Sequence, residues 1–261
     1  MTWTINEIKE KLTAITDKND PFIQSLQKDG RAGVQKLLKS WETKLARKNG
    51  EERRLENMKK IERELYNEGI DLIAGVDEVG RGPLAGPVVA ASVILPKDFS
   101  IPRINDSKKL SAKQREQLYE EIMERAIAVG IGVVSNEEID RLNIYQATQK
   151  AMVQAIENLP VTPEFLLIDA LEIPVFIPQQ KIIKGDEKSI SIASASIVAK
   201  VYRDRLMAEY SRKYPHFHFE KNAGYGTKEH LEALERYGPC PIHRKSFSPV
   251  KEIIGRSPRQ N

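Results

Sequence analysis

At 261 residues the chain is long enough for one large domain, or for an ordinary domain plus a smaller module. Its 41 Lys and Arg against 37 Asp and Glu leave a net charge of only +4, which permits a nucleic-acid partner without requiring one. The single cysteine, Cys240, excludes an internal disulfide, no apolar run approaches the roughly 20 residues of a membrane span, and the start MTWTINEIKEK is unlike a signal peptide, so a soluble cytoplasmic protein with no membrane contact is expected.

Residues 1–70 carry long charged side chains at helical periodicity and few strand formers. Ile5, Ile8, Leu12 and Ile15 fall at helical spacing before Asp20-Pro21 interrupts, and Val34, Leu37, Leu38 and Trp41 form a second stripe. Asn49-Gly50 reads as a break, after which a third charged helix runs from about Glu51 to Asn67 and stops at Gly69. From Leu72 the pattern changes to continuous apolar runs. Leu72 to Val79, Val88 to Leu95 and Ala126 to Val134 read as three sequential strands, with a helix from Ser111 to Arg125 before the third. Ser135-Asn-Glu-Glu has capping-box spacing and opens a helical stretch to about Asn158. Phe165 to Asp169 is a short buried strand, and Ile173 to Ile177 with Lys181 to Ile183 read as hairpin-like. A helix from Ser189 to Tyr214 opens with small residues that allow close packing, and Thr227 caps a last helix ending at Gly238-Pro239. These features divide the chain into a helical extension, 1–70, and an α/β domain, 71–261, with a helical C-terminal region.

The centre of the chain is LIAGVDEVGRGPLAGPVVAASVIL, residues 72–95. Asp77 and Glu78 end an apolar run, where two adjacent ionised groups are costly unless a cation or hydrogen-bond donors meet them. Consecutive strand residues point to opposite faces, so the pair converges on one site only if the strand ends or bulges there, which Gly75 and Gly80 permit. Asp169 ends a second buried strand and Asp186 follows a glycine at the mouth of a helix. An isolated Asp in such a place is usually a cap or turn residue. Together, four acids at element ends raise one another's pKa, and divalent cations offset that directly. Oxygen ligands without His or Cys suit Mg²⁺ or Mn²⁺ rather than zinc.

Asp77-Glu78-Val79-Gly80-Arg81-Gly82-Pro83-Leu84-Ala85-Gly86-Pro87-Val88 resembles the signature of ribonuclease HII, the type 2 RNase H family. Further family-like segments follow in order: Asp106-Ser107-Lys108-Lys109-Leu110, Leu167-Ile168-Asp169, Lys184-Gly185-Asp186, Ser194 to Lys200 with Arg203-Asp204, and Gly224-Tyr225-Gly226-Thr227. The match runs from about residue 70 to about 245, and the Gly-Arg-Gly form is that of type HII rather than HIII. The helical first 70 residues depart from a minimal HII core. The resemblance implies an RNase H-like fold, a mixed sheet flanked by helices, and two-metal hydrolysis of RNA in RNA/DNA hybrids. It also implies cutting on the 5′ side of ribonucleotides embedded in duplex DNA, leaving 3′-hydroxyl and 5′-phosphate ends. Separately, a monomer is expected. Carried over by motif, Asp77, Glu78, Asp169 and Asp186 become catalytic metal ligands for Mg²⁺ or Mn²⁺. Gly80, Arg81 and Gly82 contact the ribonucleotide, with the glycines allowing close backbone approach, and Tyr225 bonds the 2′-hydroxyl and lays its ring on the next sugar.

Lys108, Lys200 and Arg203 are candidate phosphate contacts, and each equally suits a solvated charge. His216, His218, His230 and His243 show no metal-ligand pattern and read as structural or surface residues. Between residues 28 and 48, Lys28, Arg31, Lys36, Lys39, Lys44, Arg47 and Lys48 face only Asp29 and Glu42. That helix either shows a solvated face behind its packing stripe or extends the footprint on a duplex.

Overall fold

The structure, a computed structural model, describes residues 3–102, 104, 107 and 110–256. The chain forms two compact units, one up to Glu56 and one from Asn57. No helix among the described residues is long and apolar enough to cross a membrane.

The first unit is helical. Its first helix, α1 (Ile5–Ala14), is opened by a reciprocal capping box between Thr4 and Glu7. The next, α2 (Pro21–Gln27), starts at Asp20, whose carboxylate accepts from Phe22 N, with Pro21 in the first turn. The long α3 (Ala32–Met58) buries Val34, Leu38, Trp41 and Leu45 against Ile8, Leu12, Ile23 and Leu26. Trp41 Nε1 donates to the Ile15 carbonyl at 3.1 Å, satisfying the indole's one donor. The break expected at Asn49-Gly50 is absent: α3 runs through both residues. Arg47–Glu51 and Lys48–Glu52 ion pairs span the glycine, and an interior glycine costs a helix only about 1 kcal/mol.

The second unit begins with α4 (Lys60–Asn67), the helix whose composition grouped it with the extension. Its Leu65 packs with Ile73, Leu167, Ile182 and Ile192, and its Glu62 is almost fully buried. One Glu62 oxygen accepts from Ser189 Oγ at 2.6 Å and from Ser191 N at 3.0 Å, at the start of the long helix α9 (Ile190–Lys213).

Five strands follow: β1 (Ile73–Val79), β2 (Val88–Ile94), β3 (Ala128–Val134), β4 (Phe165–Asp169) and β5 (Gln179–Ile182). They form a mixed sheet in the order β3-β2-β1-β4-β5. The β1–β2 and β2–β3 pairs are antiparallel; β1–β4 and β4–β5 are parallel. β5 therefore extends the sheet beside β4, where a hairpin was expected. Pro174 and Pro178 interrupt residues 173–178, and the Gln179 amide takes both backbone groups of Ile173, at 3.1 and 2.9 Å.

The remaining helices are α5 (Ala112–Arg125), α6 (Asn136–Leu142), α7 (Ile144–Glu157), α8 (Gly185–Lys188), α9 (Ile190–Lys213), α10 (Phe219–Asn222), α11 (Lys228–Tyr237) and α12 (Val250–Gly255). The stretch predicted from Ser135 to about Asn158 is split in two at Asn143, which takes a positive φ of 79° and caps α7 with its side chain. Glu138 does not complete the expected capping box at Ser135. It pairs instead with Lys150 at 2.6 Å. On one face of the sheet α7 packs through Ala147, Ala151, Met152 and Ala155 against Ala74, Val76, Ala90 and Ile168. α9 covers the other face, and its small residues let it lie unusually close: a Cβ on Gly75 would fall 2.1 Å from the Ser191 carbonyl carbon. A third cluster joins Met207 to Leu84, Ala85, Phe217, Phe219, Leu234 and Ile242, so the C-terminal helices cover the loop between β1 and β2.

Candidate functional site

The parallel pairing of Val76 with Ile168 puts the next residues, Asp77 and Asp169, side by side on neighbouring strands. Residues 73, 167 and 192 pack together, so the alternation of a strand turns Asp77 and Asp169 to the α9 face. Glu78 leaves on the other face. Of the two routes open to the pair, a strand end or a bulge, the bulge is not formed, because β1 pairs residue for residue with β2 through Val79. The carboxylates still approach one another because β4 stops at Asp169, leaving Glu78 beyond the last β1–β4 pair at an open sheet end.

Asp77 is 5 % exposed. Burial raises its pKa well above the usual carboxylate range, the charges of Glu78 and Asp169 push it further, and a hydrogen bond with Ser196 of α9 opposes them. Its Oδ1 accepts from Glu78 N at 2.7 Å. Burial also raises Glu78, against the pull of Arg81, which donates to Oε1 at 3.1 Å. Glu78 Oε2 is buried and, among the described residues, has no hydrogen-bond partner. Asp169 Oδ1 accepts from Gly185 N at 2.7 Å, which ties β4 to the short α8 that carries the buried Asp186.

The orphaned Glu78 oxygen and the buried, mutually repelling carboxylates fit a divalent cation: hard oxygen donors with one lone-pair set still free. Among the described residues no three Asp, Glu, His or Cys side chains close into a ready cage, since Asp77, Glu78 and Asp169 each spend an oxygen on a protein donor. An open ligand set of this kind suits Mg²⁺, which keeps waters and takes phosphate oxygens alongside one or two carboxylates.

Beside this sheet end lies the loop Gly80-Arg81-Gly82. Two buried guanidinium groups hold its backbone. Arg203 donates to the carbonyls of Pro87 at 2.9 Å, Ala223 at 2.8 Å and Ala85 at 3.1 Å. Arg244 donates to those of Gly86 at 3.0 Å, Arg81 at 2.8 Å and Gly80. Arg203 corrects its expectation as a phosphate contact: it is fully buried, its donors serve three carbonyls, and burial pushes its pKa down to about 10. Gly80 likewise serves the interior. Its φ is +92°, and a Cβ there would fall 2.2 Å from Arg203 Nε. Gly82 is exposed, and an added Cβ would meet only the Tyr225 ring at 3.5 Å, so the structure brings Tyr225 and the loop together. Arg81 is half exposed over Glu78. Lys200 stands apart, ion-paired with Asp204 at 2.6 Å with its side chain 20 % exposed. Lys108 lies outside the described residues. Its neighbour Ser107 hydrogen-bonds Ser196 at 3.0 Å, and Arg115 holds the carbonyls of Ser107 and Leu110, which ties that segment to the Asp77 side of the site.

Sequence reasoning missed Arg244, Glu62 and Ser196. A buried arginine and an exposed one look alike in a sequence, although His243-Arg244 falling just after a Pro-Cys-Pro turn is a place where a chain turns inward.

The family model for ribonuclease HII matches residues 74–250, and that for the ribonuclease HII N-terminal domain matches residues 4–66. The chain is 54 % identical to ribonuclease HII of Bacillus cytotoxicus over 252 residues, 97 % of each chain. Among solved structures it resembles ribonuclease H2 from Pyrococcus horikoshii, with a TM-score of 0.59 and 26 % identity over 69 % of this chain and 96 % of that one. It also shares the fold of Bst-RNase HIII in complex with Mn²⁺, with a TM-score of 0.56 and 21 % identity over 70 % of this chain and 69 % of that one.

Because folding raises the Asp77 pKa, its contribution to stability is full below the ordinary Asp value and is lost as pH rises through the folded value. The metal-free protein at neutral pH therefore carries a buried repulsion. Asp77→Asn should raise the metal-free Tm at pH 7.5 by roughly 3–6 °C. It should also shrink the rise that Mg²⁺ produces in the parent protein. Thermal melts in EDTA and in Mg²⁺ measure both, and a variant that melts below the parent in EDTA would contradict the reading.

Proposed function

The chain belongs to the ribonuclease HII family and is a metal-dependent ribonuclease H, and from that membership we propose that it cuts RNA/DNA hybrids and nicks duplex DNA on the 5′ side of embedded ribonucleotides. The products would be 3′-hydroxyl and 5′-phosphate ends. The observation that carries this reading is continuity. One strand and its following loop, Asp77 to Gly82, supply two buried carboxylates and the backbone that faces Tyr225.

Asp77, Glu78, Asp169 and Asp186 would hold the cations, Mg²⁺ or Mn²⁺ as hard-donor sites favour. When bound, two such cations supply an activated water and charge neutralisation at the scissile phosphate. The protein's own groups do the positioning. Arg244 holds the Gly80 and Arg81 carbonyls of the loop, Arg203 holds the Ala85 and Pro87 carbonyls that follow it, and the half-exposed Arg81 is left facing the substrate. A 2′-hydroxyl both donates and accepts hydrogen bonds, so backbone groups and the Tyr225 hydroxyl can recognise it. The exposed Tyr225 ring, lying against Gly82, favours a sugar without a 2′-hydroxyl at the next position, and the RNA-to-DNA junction becomes the preferred site.

The reaction is tested on a labelled DNA duplex with one ribonucleotide, incubated with Mg²⁺, Mn²⁺ or EDTA. Metal-dependent cutting at the 5′ side, lost in Asp77→Asn, is expected; cutting of long RNA tracts alone would move the substrate reading elsewhere. Tyr225→Phe should lose preference for the junction while metal binding persists, and unchanged junction cleavage would remove that role.

The helical extension is the second part of the proposal. The face of α3 opposite its packing stripe carries Lys36, Lys39, Lys44 and Arg47, and it lengthens the footprint on the duplex. Replacing these four by Gln should weaken duplex binding and reduce the slope of log K against log salt by about 0.9 for each phosphate no longer neutralised. An unchanged slope would leave the face merely solvated.

A further inference from the structure

Tyr225 is 46 % exposed, yet its backbone is anchored from inside. Its carbonyl accepts from Thr227 N at 2.8 Å and from His230 Nδ1, also at 2.8 Å. Behind it, His230 Nε2 meets His243 Nε2 at 3.0 Å, both rings fully buried against Phe217 and Phe219. Cys240 N donates to His243 Nδ1 at 2.9 Å. That nitrogen therefore carries no proton, and the neutral ring holds its hydrogen on Nε2. His243 Nε2 then donates to His230 Nε2, which leaves the His230 hydrogen on Nδ1, aimed at the Tyr225 carbonyl. That assignment gives an unbroken run of donors from Cys240 N to the Tyr225 carbonyl. Burial keeps both rings neutral, pushing the His243 pKa down to about 4 and lowering that of His230.

The segment carrying His243 also grips the other half of the substrate face. Ala85 and His243 form a β-bridge, Gly86 N donates to the Ile242 carbonyl at 2.9 Å, Arg244 N donates to the Leu84 carbonyl at 2.8 Å, and the Arg244 side chain holds the Gly80 and Arg81 carbonyls. Residues 240–244 thus act as a strut, fastened to the Gly80-Arg81-Gly82 loop at one side and, through the two histidines, to Tyr225 at the other.

We infer that His230 and His243 are positioning residues that set Tyr225 against the Gly80-Arg81-Gly82 loop, so that discrimination of the RNA-to-DNA junction is fixed by a buried imidazole pair that never touches the substrate. The inference rests on the reading of Tyr225 given above. Two aromatic neighbours would fill the same space around an apolar side chain. What the pair adds is a directed donor, which leucine of similar bulk lacks, and an unsupported carbonyl there lets the turn shift.

The experiment compares the kcat/KM ratio for a single embedded ribonucleotide over a continuous RNA tract in the full chain. His230→Leu should lower that ratio about five- to tenfold, the scale of one directed hydrogen bond, and leave RNA-tract cleavage within about twofold. His230→Asn, whose amide places an N–H near the Nδ1 position, should recover most of it. In a Tyr225→Ala background His230→Leu should change the ratio no further, an epistasis that a general loss of stability does not produce. His243→Leu, which frees His230 to take either tautomer, should give a smaller drop, and it serves if leucine at 230 does not fold by circular dichroism. If Tyr225→Ala loses the ratio while folded His230→Leu or His243→Leu keeps it, the positioning inference fails and the Tyr225 reading stands. If Tyr225→Ala keeps it, the Tyr225 reading falls and the inference with it.

Discussion

The carboxylate of Asp77 is buried where a strand meets a helix packed almost on its backbone, and the remaining architecture is arranged around making that tolerable. α9 can approach β1 only because Gly75 lacks a side chain and because the helix opens with Ile-Ser-Ile-Ala-Ser-Ala-Ser. The same closeness brings Ser196 to Asp77 and leaves little room for water. Glu62 fastens the start of α9, so the helix cannot retreat to relieve the charge. An acid so placed either takes a proton or meets a cation. In the proposed reaction the second outcome is the one that serves hydrolysis, and the burial is then a functional constraint set against stability.

The Gly80-Arg81-Gly82 loop solves a different problem with a different device. A loop of Gly-Arg-Gly has no apolar side chains to anchor it, so its shape must come from its backbone. Arg203 and Arg244 provide that by spending their donors on carbonyls from Gly80, Arg81, Ala85, Gly86 and Pro87. The two buried guanidinium groups also lie close enough to interact, and Arg244 is pushed down to about 9 by burial first and by the charge of Arg203 second. The positive field behind the loop therefore comes from groups that no solvent-facing charge count would include.

Much of this was legible from the residues. The apolar runs at 73–79, 88–94, 128–134 and 165–169 are strands because β-branched and small residues fill them, buried on both faces in the inner strands and on one face only at 128–134, and the placement of Asp77 and Asp169 at matching strand ends follows from them. Capping by Ser135 and Thr227 was readable for a local reason: each hydroxyl needs only the amide three residues ahead. What escaped depended on distant partners. Gly50 reads as a stop because the ion pairs that carry α3 across it are weak and lie on a solvated face. β5 is indistinguishable from a hairpin arm until β4 is available to pair with it. Arg203 carries the same charge whether it points at a phosphate or at three carbonyls, and only the packing of Gly80 decides. The histidines show no ligand pattern in the sequence, and their pairing across α11 and the 240–244 segment has no sequence signature at all.

That cations meet the carboxylates at this sheet end is the central proposal, and the most direct measurement is an anomalous difference map from a crystal of the full chain soaked in Mn²⁺. Density is expected in contact with Asp77 and at least one of Glu78, Asp169 and Asp186, absent from crystals of Asp77→Asn. Mn²⁺ bound elsewhere, with the Asp77 carboxylate still closed on the Glu78 amide and Glu78 still paired with Arg81, would contradict it.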